Sequence, residues 1–296
     1  MENASTDASR QRLTQWAEGK LCVWLPPHHP HRDKVIPAVN DKAVRFVDAA
    51  KVDKNRESDG SAKKAQVTVL CSPENLGAAG GNNLAMKWAV RDRNVHYFWM
   101  INNDTVLDAG ALRHLVRFMA QKPGVGICGS RIMEYYQPEQ IQLLGSKISR
   151  YSGKTYVLTS EKQLPQMNYI IGVSFLVSRE CWKKTGPLKE EYFIYNEETD
   201  FCFRARENGF RLAVAPDSVL YHKQGKGTDS LTRDYYVTRN MLYFGHVFYP
   251  RFKWLWSAFF WIQIVAPKII RRQWKRLAMV VRARRDYRRG KMGRLT

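Results

Sequence analysis

From Ala65 the chain settles into alternating β-rich runs and helical stretches. The run QVTVLCS is dense in β-branched residues and ends in the turn Pro73-Glu74-Asn75, which predicts a buried strand. Asn82 to Arg91 predicts a helix, and His96 to Asn102 (HYFWMIN) a second buried strand. Asp108 to Lys122 predicts another helix, capped by Asp108 and stopped by Pro123. Strand, helix, strand, helix implies a parallel sheet, so the fold class is α/β. Gly126 to Ile132 predicts a third strand, Lys147 to Thr159 a hairpin, and Tyr169 to Ser178 an apolar strand running into a short helix at Arg179 to Lys184. The acidic segment Asn196 to Asn208 follows, then strands at Arg211 to Ala215 and Ser218 to His222.

The first 21 residues read as a turn feeding a helix, with Ser5, Thr6 and Asp7 as candidate caps before the face Leu13/Trp16/Ala17. Between Pro26 and Lys64 the pattern dissolves into prolines, histidines and charge (PPHHPHRDK, DKNRESDGSAKK). This predicts a surface insertion of little chemistry, with one short element at Ala43 to Ala49. Pro27 and Pro30 deny His28, His29 and His31 a regular element, so they are read as loop rather than metal ligands. Trp254 to Pro267 is the longest apolar run; its fourteen residues reach roughly 21 Å as a helix against roughly 30 Å for a bilayer core, so it does not span.

Composition sharpens two points. At 44% hydrophobic over 296 residues the chain can bury a large core, which excludes disorder as its overall state. Its formal net charge of +21 predicts a polyanion or an anionic membrane surface as partner. About half of that excess lies in one tail, where Lys268 to Arg294 holds twelve Lys or Arg against Asp286 alone. The five cysteines are odd in number, widely spaced and without a CxxC pair, so neither a disulfide framework nor a zinc site is expected. A reducing cytosol fits best, and the first residues lack the basic start and apolar stretch of a secretory signal.

Three segments stand where chemistry could sit. Asn75 to Asn83 (NLGAAGGNN) is a glycine-rich turn between strand and helix, whose missing side chains let backbone N–H groups approach a ligand, though glycines also simply make turns. Asn102-Asn103-Asp104 ends the most hydrophobic strand, the edge at which open α/β sheets present ligand-binding groups. A carboxylate there can hold Mg²⁺ or Mn²⁺ against a diphosphate, or merely end a strand in an Asn/Asp turn. Glu197-Glu198-Thr199-Asp200 opens a helix: Asp200 can pair with Arg204 one turn on, and a carboxylate at such a helix start is also a fit general base.

In this order the segments resemble family 2 glycosyltransferases, especially the bacterial rhamnosyltransferase-like members. Met1-Glu2-Asn3-Ala4-Ser5-Thr6-Asp7 looks like the family's DN-x-S-x-D nucleotide-binding turn with Glu2 for the first Asp, and Asn75 to Asn83 like its NxGfaggnN loop. Asn102-Asn103-Asp104 looks like the metal-binding DxD element, and YIIGVSFLVSR (Tyr169 to Arg179) like the strand before the acceptor site. Glu197 to Asp200 looks like the EDxD catalytic segment, Ser218 to His222 like the strand whose His completes the metal and diphosphate site, and Tyr235 to Asn240 like the yyxxRN helix.

The resemblance implies a GT-A-like fold with a mostly parallel, Rossmann-like sheet over residues 1–249, interrupted by an insertion at about 22–64, and a basic, aromatic, membrane-associating tail at 250–296. It implies inverting transfer of a sugar, with rhamnose as a candidate, from a nucleoside-diphosphate donor to a saccharide or lipid-linked acceptor in surface polysaccharide synthesis. Glu2, Asn75, Gly77, Gly80, Asn82, Asn102 and Asp104 would bind donor, Asp104 and His222 would hold Mg²⁺ or Mn²⁺, and Glu198 stands where the family has its base, with Glu197 and Asp200 left open. Family members carry a strand and helix upstream of the DN-x-S-x-D turn. That unit is expected to be missing here unless Leu21 to Leu25 or Val44 to Val47 replaces it, and the alternative is a catalytically dead remnant acting at most as a membrane or anion-binding protein. Tryptophans beside the basic tail point to the inner face of the plasma membrane, and no nucleic-acid partner is expected.

Overall fold

The computed structural model describes residues 1–21, 25–35, 44–48, 67–223 and 229–295. In chain order these form β1 (Glu2–Asn3), α1 (Ser9–Ala17), α2 (Arg32–Val35), β2 (Val44–Asp48), β3 (Val67–Ser72), α3 (Gly77–Ala89), β4 (Tyr97–Ile101), β5 (Thr105–Leu107) and α4 (Ala111–Ala120). There follow β6 (Val125–Glu134), β7 (Ile141–Leu143), β8 (Gly145–Ile148), β9 (Thr155–Leu158), β10 (Ser174–Ser178), α5 (Arg179–Thr185), α6 (Glu197–Glu207) and β11 (Arg211–His222). The C-terminal unit is helical: α7 (Ser230–Phe248), α8 (Lys253–Phe260), a π-helical stretch Trp261–Val265, α9 (Ala266–Ile270) and α10 (Trp274–Arg288).

Two sheets carry the α/β layer. The smaller runs β1-β3-β2 with parallel pairing throughout. The larger runs β4-β10-β6-β11-β5, with β7 on β6. There β10 lies antiparallel between β4 and β6, while β6 and β11 pair in parallel, so β4, β6 and β11 all point the same way. The predicted succession of strand, helix and strand is thus kept in β4, α4 and β6, and the antiparallel β10 is inserted among them. Hydroxyls tie the larger sheet across its centre: Ser130 Oγ lies 2.7 Å from Ser174 Oγ and 2.8 Å from Ser218 Oγ.

Several boundaries move for identifiable reasons. The helix expected from Asn82 starts at Gly77, because Gly77 takes a left-handed φ of +71° that turns the chain into the first turn. Asp108 does not cap α4 with its side chain; that carboxylate pairs with Lys34 at 2.8 Å, and the helix begins at Ala111. Arg211 to Ala215 and Ser218 to His222 join as one strand with a register slip between Ala215 and Val219, where Pro216 has no N–H to give a ladder. The basic tail from Lys268 onward is helical in two pieces, since Arg272 adopts φ +53° between α9 and α10. Val44–Asp48 is a strand, and it pairs along β3 on the edge opposite β1.

The insertion is more than solvated loop. His31 is fully buried, its Nε2 2.7 Å from the Tyr135 carbonyl and its ring 4.4 Å from that of Tyr221. Residues 22–24, 36–43 and 49–66 lie outside the described residues, so the rest of the expected insertion and Cys22 do too. The largest core gathers Ile127, Phe175, Phe201, Tyr192 and Phe244, where the β6–β10 face meets α6 and α7. Full burial of each such side chain contributes roughly 1.5–3 kcal/mol. Trp256 locks the C-terminal unit onto this core: its indole Nε1 donates to the Arg150 carbonyl at 2.8 Å, and it lies so close to Gly153 and Gly245 that a Cβ on either would collide with it. No helix among the described residues is long and apolar enough to cross a membrane.

Candidate active site

The end of β4 and the end of β11 are brought together by register. Thr105 of β5 sits opposite His222 of β11, which sets the preceding Asp104 beside the imidazole. His222 Nε2 lies 3.3 Å from Asp104 Oδ1, and that oxygen is buried without a hydrogen bond. On its other side the His222 ring meets Gln142 Oε1 at 2.6 Å, while Gln142 Nε2 donates to the His222 carbonyl and to Glu134. An acceptor at Nδ1 assigns the proton there and leaves the Nε2 lone pair facing Asp104. One carboxylate oxygen and one imidazole nitrogen fit a hard divalent cation that takes its remaining oxygens from substrate phosphates and water. Among the described residues no group of three or more such ligands is gathered, so the donor would have to complete the shell.

A cavity of about 230 Å³ opens beside this edge, lined by Asn82, Met100, Asn102, Gly172, Glu197 and Glu198 among others. Ligand pockets usually run to roughly 300–1,000 Å³, so it holds part of a nucleotide sugar rather than all of it. Glu197 and Glu198 are the first residues of α6, and the Oε2 of each is buried without a partner. Desolvation holds both carboxyls above the ordinary glutamate range. Glu197 is pushed well above it, with the Glu198 charge adding to the effect. Backbone N–H groups of Glu198, Thr199 and Gly172 counter the rise at Glu198. Of the pair, Glu198 is the one that more backbone N–H groups reach.

The approach to α6 is strained. Phe193, Tyr195 and Asn196 have φ of 65°, 68° and 71°, a left-handed run costing non-glycine residues on the order of 1–3 kcal/mol each. Asn240 holds it, its Nδ2 donating to the carbonyls of Tyr192, Ile194 and Tyr195 at 2.9, 2.8 and 2.8 Å. Arg239, buried beside it, donates to Glu191 and Tyr192 carbonyls and to that of Gly293. The Phe193 carbonyl in turn accepts from Ala78 and Ala79 N–H at the start of α3. This corrects the expectation that the glycine-rich turn leaves those N–H groups open to a ligand: the Phe193 backbone already occupies them, and a Cβ at Gly77 would lie 2.3 Å from its oxygen.

The sequence candidates fall into three places. Asn82, Asn102, Glu197 and Glu198 line the cavity, and Asp104 and His222 meet at the adjoining strand ends. Asn75 accepts from Gly77 N–H and from Asn3 Nδ2, and with Asn3 and Arg294 it lines a separate depression of about 630 Å³. Glu2 accepts from Ser5 N–H, and Gly77 and Gly80 are buried within the glycine-rich turn. Asp200 stands apart from the cavity lining, its carboxylate engaged by Arg204 Nε at 2.5 Å, Tyr192 Oη and Lys189. Asn3 and Asn240 escaped selection as site residues, though both lie inside segments already singled out.

The model of the glycosyltransferase like family 2 matches residues 33–239. The chain belongs to that family. The α/β layer of this glycosyltransferase-family chain is accordingly of the GT-A kind. Among curated proteins it is 24% identical over 153 residues to the low-salt glycan biosynthesis hexosyltransferase Agl10 of Haloferax volcanii. That match spans 51% of this chain and 50% of the relative, so the chain covers about half the relative's length. Among solved structures, GalNAc-T7 with UDP, GalNAc and Mn²⁺ gives a TM-score of 0.45 at 12% identity, covering 71% of this chain and 47% of that one. Mannosyltransferase PcManGT from Pyrobaculum calidifontis, in complex with GDP-Man and Mn²⁺, gives 0.42 at 12% identity over 83% and 87%. Neither structural likeness is strong enough to transfer a ligand or a mechanism.

Proposed function

We propose that this chain is an inverting glycosyltransferase that moves a sugar, with rhamnose a candidate, from a nucleoside diphosphate to a hydroxyl of a saccharide or lipid-linked acceptor in surface polysaccharide synthesis. The observation that carries the reading is the convergence of two buried glutamates, each with an unpartnered Oε2, with Asn82 and Asn102 in one cavity, beside the Asp104–His222 pair. In a single displacement the acceptor oxygen bonds to the anomeric carbon as the bond to the diphosphate oxygen breaks. Glu198 takes the hydroxyl proton, and burial of the two carboxyls side by side, which raises both, disfavours a second negative charge in the same cavity. Asn82 and Asn102, both in the cavity lining, offer amide groups to the sugar. Asp104 and His222 would hold Mg²⁺ or Mn²⁺, which offsets charge on the departing diphosphate.

Asp104→Ala tests this. It removes a carboxylate at a strand end whose side-chain neighbour is His222, and leaves the core intact, so the variant should fold as the wild type does and lose donor turnover. Turnover is followed with and without added Mn²⁺ or Mg²⁺. Metal-independent transfer surviving in the variant would sink the assignment.

A further inference from the structure

The C-terminal unit carries a second, chemically different recess, away from the catalytic cavity. Between Trp261 and Val281 lies an apolar-floored groove of about 390 Å³, rimmed by Arg284, Arg285, Arg288 and Arg289. Positions 284, 285 and 288 fall on one side of α10, because residues one turn apart on a helix are neighbours, and Arg289 follows as its C-cap. The Arg284 guanidinium lies over the rings of Phe260 and Trp261, 5.6 and 4.9 Å from their centroids, so the ring faces fix its position at the groove.

None of the four forms an ion pair among the described residues. The only acid on this helix, Asp286, is used elsewhere: Tyr235 Oη donates to it at 2.8 Å and Arg282 approaches at 3.8 Å. Four guanidinium groups held together without counter-charge repel one another, and burial together with the Arg288 charge presses the Arg284 pKa down. Such a cluster is stabilised by an anion. The groove floor and its surroundings decide which anion. The same unit exposes Trp254 (78%), Ile262 (64%), Ile270 (80%) and Trp274 (60%), large apolar side chains that a hydrophilic partner would leave in water.

We infer that this groove seats the phosphate-bearing headgroup of an anionic phospholipid, its guanidinium rim on the phosphate and its apolar floor against the glycerol and upper acyl chain. The exposed tryptophans and isoleucines then enter the headgroup layer around it, where amphipathic rings are favoured. Guanidinium is the suited cation, since its planar fork meets phosphate oxygens in pairs and sheds water more readily than an ammonium. A DNA duplex would satisfy the rim, but its bases are stacked in its interior and leave the apolar floor unmatched. The inference concerns binding without donor or acceptor, and stands or falls separately from the transfer chemistry.

The test uses the full chain and sedimentation with vesicles of phosphatidylcholine, with or without phosphatidylglycerol, beside a fluorescent DNA duplex at the same salt. Binding should require phosphatidylglycerol. Arg288→Gln combined with Arg289→Gln should lower the partition coefficient roughly 30-fold, at about 1 kcal/mol per basic residue near an anionic surface. Trp261→Ala should weaken vesicle binding while leaving any DNA binding unchanged, which a purely electrostatic patch would not show. Thermal unfolding confirms that each variant is folded. Equal binding to both vesicle types, insensitivity to the double substitution, or tighter binding to DNA than to phosphatidylglycerol vesicles overturns the proposal.

Discussion

Glu197 and Glu198 illustrate how a single helix start can bring two carboxyls into one buried setting. The dipole of α6 favours both as anions, at about 0.3–1 kcal/mol for an exposed case, but removal from water opposes this more strongly. Glu198→Gln should leave donor affinity intact and slow transfer by roughly 10² to 10⁴, the usual contribution of a positioned base, with calorimetry and rate measured on the same preparation. Catalysis lost instead in Glu197→Gln would move the base by one position. The stability effect has its own sign. A folded-state pKa raised above the unfolded value means the native protein binds more protons, so the stability present below the unfolded value, near 4.5, is lost as pH rises through the folded one. Wild-type unfolding temperature should therefore fall as pH is raised from 4.5, and Glu197→Gln should flatten that fall. At this scale the acidic segment was legible, and so was the Asp200–Arg204 pairing, because a four-residue spacing is local. That Glu197 and Glu198 both face the cavity while Asp200 does not was hidden, since it depends on the left-handed turn at Asn196.

Elements were easier to read than their mutual arrangement. β3, β4, β6 and the β8–β9 hairpin stand close to where hydrophobic pattern put them, because burial writes its period directly into sequence. Direction and neighbourhood leave no such trace: an apolar run reads the same whether it enters a sheet parallel or, as β10 does, antiparallel. The lead into α6 is the case with most consequence. Its backbone is non-helical and left-handed, and its carbonyls are satisfied from α7, some 45 residues later, through Asn240. Asn240→Ala should strip the Ile194 and Tyr195 carbonyls of this donor, at about 1–3 kcal/mol for each buried group left unpaired. A drop in thermal midpoint together with loss of transfer is expected. A variant as stable as wild type would show that the strained segment holds its shape unaided. Gly77→Ala attacks the same contact from α3, and should destabilise through both the Phe193 clash and the positive φ.

On the scale of the whole chain, the basic tail is built into the site rather than appended to it. Its excess charge was plain from composition, whereas its packing was not, because the apolar residues of α10 cluster in one run, 277–281, and only Val280 and Ala283 among them and their neighbours are fully buried. Past α10 the backbone returns to the active-site lead: Gly293 N–H donates to the Glu191 carbonyl at 2.8 Å, and the Gly293 carbonyl accepts from Arg239 at 2.7 Å. Leu295 N–H donates to Tyr236 Oη at 2.7 Å. The groove arginines all precede this segment, so deleting residues 290–296 separates two roles of the tail. Losing these three hydrogen bonds, at about 0.5–1.5 kcal/mol each and more where Arg239 is the donor, should loosen residues 191–196. The shortened chain, which keeps the groove arginines but loses Lys291 and Arg294, should still require phosphatidylglycerol for vesicle binding, yet transfer sugar more slowly and exchange the backbone hydrogens of 191–196 faster. Unchanged exchange and turnover would mean that Arg239 and Asn240 alone hold the lead into α6, and that the end of the chain only covers them.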